Sequence, residues 1–140
     1  MIPHLILITL ALTNMKKLTI LLFSILISFS SYGEWFKIGE ITNGDAYYID
    51  QNSIKQQNGY VYFWAMGDYF VPNKYGDMSG KAHYQGECGV NRFKHLSYIF
   101  YKQQMGSGAG ETGNAPGEWK YLSPEGIGAT MLNYVCDYVD

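Results

Sequence analysis

Alternation of apolar and polar positions dominates the chain from residue 34 onward. Residues 60–70, YVYFWAMGDYF, place Tyr60, Tyr62, Trp64 and Met66 on one side of an extended segment and Val61, Phe63 and Ala65 on the other. A period of two predicts a strand, and apolar residues on both sides predict a central one. Such a strand is either covered on both faces or meets a partner on one. Shorter alternating runs lie at 34–39 (EWFKIG), 46–50 (AYYID) and 118–122 (EWKYL). Residues 81–102, KAHYQGECGVNRFKHLSYIFYK, read as two strands meeting at Gly89-Val90-Asn91. Asn43-Gly44-Asp45 and Asn58-Gly59 are turn dipeptides, and residues 50–53 (DQNS) are a turn rich in side chains that bond their own backbone. Residues 71–80 and 105–117 are rich in glycine and proline and read as loops.

The period then changes. Ile127, Met131, Leu132, Val135, Cys136 and Val139 recur at helical spacing, after Ser123-Pro124-Glu125, which predicts a start with Ser123 as N-cap. Strands followed by one terminal helix predict an α+β fold: a single antiparallel sheet of about six strands with a C-terminal helix packed on it.

The first 33 residues follow another pattern. Lys16-Lys17 precede an apolar run over residues 18–29, LTILLFSILISF, and Ser31-Tyr32-Gly33 offers small residues for cleavage. This reads as a secretory signal peptide, too short in its apolar part for a membrane span. Residues 1–14 add apolar length without positive charge, which points to Met15 as initiator. The mature domain is then 34–140, exported to the periplasm, cell surface or medium, with no stable membrane insertion after cleavage and no cysteine near its start to accept a lipid.

Export changes the meaning of the two cysteines. In an oxidising compartment Cys88 and Cys136 are expected to form a disulfide that ties the sheet to the helix. The bond closes a long loop, contributing about 4 kcal/mol by loop-closure arithmetic.

Charge narrows the function classes. Without Lys16 and Lys17, the ten basic residues fall to eight, against twelve acidic ones. That acidic excess argues against a nucleic-acid binder, which shows a basic face. Gly108-Ala109-Gly110-Glu111-Thr112-Gly113 matches a dinucleotide-binding spacing, but Pro116 and Gly117 follow where the required helix would begin. His83 and His95 have no second histidine at metal-ligand spacing, and no serine sits in a nucleophile motif. No cofactor is indicated. Lys81, Arg92, Lys94 and Lys102 form a weak basic cluster that reads first as solvated strand positions and edge protection.

Tyr47-Tyr48-Ile49-Asp50 with Ser53-Ile54, Cys88 and Arg92, Phe100-Tyr101, Met105-Gly106 with Gly108, Trp119 and a helix bearing Cys136, in that order, resemble the surface-adhesin E family. The resemblance covers residues 35–138. It implies a six-stranded antiparallel sheet with a disulfide-tethered helix, export in a Gram-negative bacterium, dimerisation, and adhesion to host matrix or plasma proteins. The family's founding member is a lipoprotein with a strongly basic stretch before its first cysteine; the matching residues 72–87 here keep only Lys74, Lys81 and His83 against Asp77 and Glu87. The expected function is a non-enzymatic exported binding module. Its candidate contact residues are Lys74, Lys81, His83, Tyr84, Arg92 and Lys94. An envelope structural protein without host binding is one alternative, and a small hydrolase whose site is assembled only in three dimensions is another.

The leader pattern predicts that the exported protein begins at Glu34. N-terminal sequencing of material recovered outside the inner membrane should read Glu34-Trp35-Phe36. Recovery of a chain that still carries residues 18–29 would overturn the leader assignment.

Overall fold

The structure, a computed structural model, describes residues 35–114 and 116–140. The leader expected over residues 1–33 lies outside them. The strands are β1 (Trp35–Glu40), β2 (Ala46–Asp50), β3 (Lys55–Gln57), β4 (Tyr60–Asp68), β5 (Ser79–Glu87), β6 (Arg92–Tyr101), β7 (Gly110–Gly113) and β8 (Lys120–Tyr121), followed by helix α1 (Ile127–Val139). They form one antiparallel sheet in the order β1-β2-β4-β5-β6-β7, with β3 on β4 and β8 on β6. The sheet has eight strands where about six were expected.

Each added strand was hidden for a physical reason. β3 is Lys-Gln-Gln, exposed throughout, so it has no apolar signal. The Asn58-Gly59 turn nonetheless folds it onto β4, with both residues at positive φ (54° and 84°) as a tight hairpin requires. β7 lies inside the glycine-rich segment read as loop. Its Gly113 packs directly under the Tyr98 ring, where any Cβ would clash.

The helix also starts later than the Ser-Pro-Glu signal implied. Residues 123–126 form a turn in which the Gly126 N–H donates to the Ser123 carbonyl, and Gly126, not Ser123, is the N-cap. Gly126 and Gly128 are poor helix formers, so the first turn depends on packing.

α1 lies on one side of the sheet. Val61, Phe63 and Ala65 of β4 point toward it, 1%, 0% and 4% exposed, and meet Met131, Leu132 and Val135 with Ile49 and Phe93. Gly86 lets the helix approach: a Cβ there would sit 2.5 Å from Leu132 Cδ1 and 3.0 Å from Val61 Cγ2. Phe36 stacks on Tyr134 at 5.0 Å, which extends the contact to the edge strand. Among the described residues no α-helix covers the other side of β4; the 3-10 turn Gln104–Gly106 lies against Met66 and Lys81 there.

Cys88 and Cys136 are joined, with Cα atoms 5.9 Å apart, linking the end of β5 to the last turns of α1. With 13 residues and two glycines at its start, α1 is too short to persist without tertiary contacts. Reduction should therefore loosen the helix before the sheet. Hydrogen exchange with reductant should show protection lost first over residues 127–139 while β4 and β5 remain protected; unchanged helix protection would mean that packing alone docks it.

Candidate functional site

The strand period places every second residue on the face away from α1. From β4 come Tyr60, Tyr62 and Trp64. Their direct neighbours across β5 are Gln85 opposite Tyr62, His83 opposite Trp64 and Lys81 opposite Met66. β6 adds Arg92 and Lys94, opposite Glu87 and Gln85. Lys55 of β3 lies opposite Tyr62, and Lys37 of β1 opposite Tyr48. Five of the eight cations after residue 33 thus share one face with a row of aromatic rings.

The rings and cations interleave. Trp64 stacks on His83 at 5.0 Å with planes 9° apart, and Tyr62 leans on the same imidazole at 6.3 Å. Lys81 Nζ lies 5.3 Å from the Trp35 ring centre and 5.2 Å from that of Tyr101. Trp119, just before β8, folds back over the far end. It stacks on Tyr60 at 5.9 Å, with the Arg92 guanidinium 4.2 Å and Lys94 Nζ 4.9 Å from its ring. Contacts of this kind contribute about 0.5–1 kcal/mol each when exposed, and more when a partner excludes water.

The carboxylates on this face are already engaged. Glu87 accepts from Arg92 Nε and Nη2 at 3.1 and 2.8 Å. Glu40 pairs with Lys37. Asp50 caps the short 3-10 turn Gln51–Ser53, and Asp68 accepts from the Met105 N–H. Among the described residues, Lys55, Lys81 and Lys94 are in no ion pair. Lys37, Lys55, Lys81, Arg92 and Lys94 against Glu40, Asp50, Asp68 and Glu87 leave this aromatic side with a slight positive excess, in a chain that is acidic overall.

The candidate contact residues divide. Lys81, His83, Arg92 and Lys94 meet on the helix-free face. Tyr84 points to the opposite side, between Phe63 at 5.4 Å and Phe93 at 4.6 Å, and belongs to the core; its odd register with His83 sends it there. Lys74 is on the loop between β4 and β5, over the Tyr75 ring at 5.0 Å. That loop is fixed by Asp77, which accepts from Lys102 Nζ at 2.9 Å and from Asn73. Lys102 is thereby drawn away from the cluster it seemed to join, and its ammonium holds the Asp77 carboxyl below the usual range. Trp119 and Lys55 were missed because neither sits in an alternating run long enough to assign a face.

Two serines that might have served a hydrolase are engaged by the backbone. Ser53 Oγ donates to the Asp50 carbonyl and accepts from the Trp64 N–H; Ser79 Oγ donates to the Gln103 carbonyl and accepts from the Gly106 N–H. Among the described residues no group of three or more His, Cys, Asp or Glu is placed to hold a metal ion, and no helix is long and apolar enough to cross a membrane.

A family profile described as Surface-adhesin protein E matches residues 35–137. Among solved structures, crystal form II of Haemophilus influenzae protein E is similar at TM-score 0.59 and 19% identity, over 76% of this chain and 90% of that one. A selenomethionine form of the same protein gives TM-score 0.56 and 20% identity, over 72% and 85%. Protein E from non-typeable Haemophilus influenzae gives 0.53 and 18%, over 74% and 75%. At these identities the likeness concerns the fold. The search of curated proteins finds no match.

Burial first, and the Lys55 ammonium second, push the His83 imidazole below its ordinary value of 6.5. The folded state favours the neutral ring, so the unfolded chain takes up the proton at higher pH. The contribution to stability is complete above about pH 6.5 and is lost as pH falls from there through the folded value. Urea unfolding across that range should show wild type losing more stability than His83→Gln, and the His83 ring should titrate below 6.5 by NMR. A midpoint at or above 6.5 would remove the argument.

Proposed function

Because the chain belongs to the surface-adhesin protein E family, we propose that it is an exported, non-enzymatic adhesion module that holds a protein partner on the helix-free face of its sheet. The observation that carries the reading is the set of unpaired lysines among open aromatic rings. Aromatic anchors with nearby cations are the residue types that dominate binding energy at protein interfaces. The partner this surface fits carries carboxylates or other anionic groups around an apolar centre, consistent with the host matrix or plasma proteins that the family likeness suggests.

Lysines 55, 81 and 94 would steer the encounter and give salt-dependent association. Trp119, half-buried and packed against two cations, would supply the anchor. An envelope structural role without host binding would use the same face and differ in the partner captured.

The test is capture from plasma, from a matrix extract and from a bacterial envelope extract by immobilised, oxidised protein, quantified by mass spectrometry. A protein retained by wild type should be lost, by about tenfold or more, with Trp119→Ala, and weakened with the pair Lys81→Ala and Lys94→Ala. Lys120→Ala removes one positive charge from outside this face and should leave capture unchanged. Equal capture by all variants would refute the assignment of the face; capture only from envelope extract would favour the structural role.

A further inference from the structure

The helix covers only part of its own side of the sheet. Beyond Met131 a trough of about 520 Å³ remains open on that side. Its floor is the Ala65–Ala82 pair, because the next pair along, Gly67 opposite Gly80, is overlain by the Tyr47, Tyr69 and Phe100 rings. Aromatic rings make the walls: Tyr47 on one flank, Tyr98 and Phe100 on the other, Tyr84 at the helix end and Tyr69 at the far end. The glycines let these rings descend to the backbone. A Cβ at Gly80 would lie 2.9 Å from Tyr69 Oη and 3.1 Å from Phe100 Cδ1, and one at Gly67 3.1 Å from Tyr69 Cε1.

The polar groups of the trough are mainly phenols. Among the described residues, the hydroxyls of Tyr47, Tyr69, Tyr84 and Tyr98 have no hydrogen-bond partner from the protein, and no buried side-chain polar atom is left unsatisfied. These hydroxyls are therefore open to solvent, and the Tyr98 hydroxyl lies over Gly113 of β7. Burial raises the Tyr47, Tyr69 and Tyr84 phenols, Tyr69 to about 12, so they remain O–H donors. A cation has no carboxylate in the lining to pair with. Lys81 contributes only from the strand, since its ammonium lies on the other face over Trp35 and Tyr101.

We infer that this trough is a binding site for a small, uncharged ligand with a flat ring system and a carbonyl-type acceptor. The ring would lie over the Ala65–Ala82 pair among the Tyr47, Tyr84 and Tyr98 rings, and the acceptor would take a hydrogen bond from Tyr69. The volume is in the range of small-molecule sites, roughly 300–1,000 Å³, which are mostly apolar with a few convergent polar groups. The site lies on the opposite side of the sheet from the proposed adhesion face and stands or falls separately from it.

The test uses three two-ring probes of similar size on the purified, oxidised protein: coumarin (uncharged, with a lactone carbonyl), 2-naphthoate (anionic) and N-methylquinolinium (cationic). Binding is followed by backbone NMR shifts and calorimetry. Coumarin should give saturable shifts at the amides of Gly67, Gly80 and Ala82, and bind more tightly than either ion. Tyr69→Phe should weaken coumarin about 2- to 10-fold, the effect of losing one neutral hydrogen bond. Ala82→Leu should abolish binding by filling the floor. Circular dichroism checks that each variant is folded, and Tyr69→Phe keeps the test decisive if Ala82→Leu is not. No saturable coumarin binding, shifts confined to the other face, or tighter binding of an ion would overturn the inference.

Discussion

Among the described residues one short α-helix serves a sheet whose central strand is apolar on both sides, and the architecture follows from that shortage. Val61, Phe63 and Ala65 fill the space under α1 and leave no exposed core there. Tyr60, Tyr62 and Trp64 must then manage without a covering layer. They do so by being amphipathic and by packing on one another, on His83 and on the stems of nearby lysines. A tyrosine or tryptophan tolerates a half-wet position that a leucine would not, because one end of the ring system can meet water. The helix is also too short for its own side, and aromatic rings close in around what it leaves open. Tyrosine abundance in this chain is thus the consequence of a two-faced sheet with thirteen residues of helix to cover it.

The sequence was legible where period and burial agree. β4, the two strands joined at residues 88–91, the helical stripe and the cysteine pair all carry a strong repeating or chemical signal, and each is found in place. It was least legible where an element is held by its neighbours alone. β3 has three exposed polar residues and β7 has two glycines in four positions, so neither carries a local preference for extended structure. The site shows the same division. The strand period assigns Lys81, His83, Arg92 and Lys94 to one face. Tyr84 is one residue from His83, and a single step in a strand reverses the side. Trp119 lies in a segment without regular structure, and only the fold back over β6 brings it to Arg92 and Lys94.

Net charge was a poor guide to the surface. An acidic chain suggests a negative exterior, yet its carboxylates on the open face are used as caps, turn acceptors and ion-pair partners. The remaining acids lie on loops, edges and the helix. Charge in this protein is sorted by side, which a total cannot express, and the sorting is done by the strand period together with a few local hydrogen bonds.

The link between Cys88 and Cys136 has a mechanical meaning for a protein that holds on to something. Tension applied at the C-terminus passes at Cys136 directly into the turn between β5 and β6, bypassing the intervening chain, a sequence separation of 48. The helix is outside the load path and cannot be peeled from the sheet by pulling on the chain end; only residues 137–140 can extend. Force is delivered instead to the hairpin turn of β5 and β6, two interior strands that are hydrogen-bonded on both sides. The crosslink that stabilises a small domain at rest thus also sets how it would bear shear.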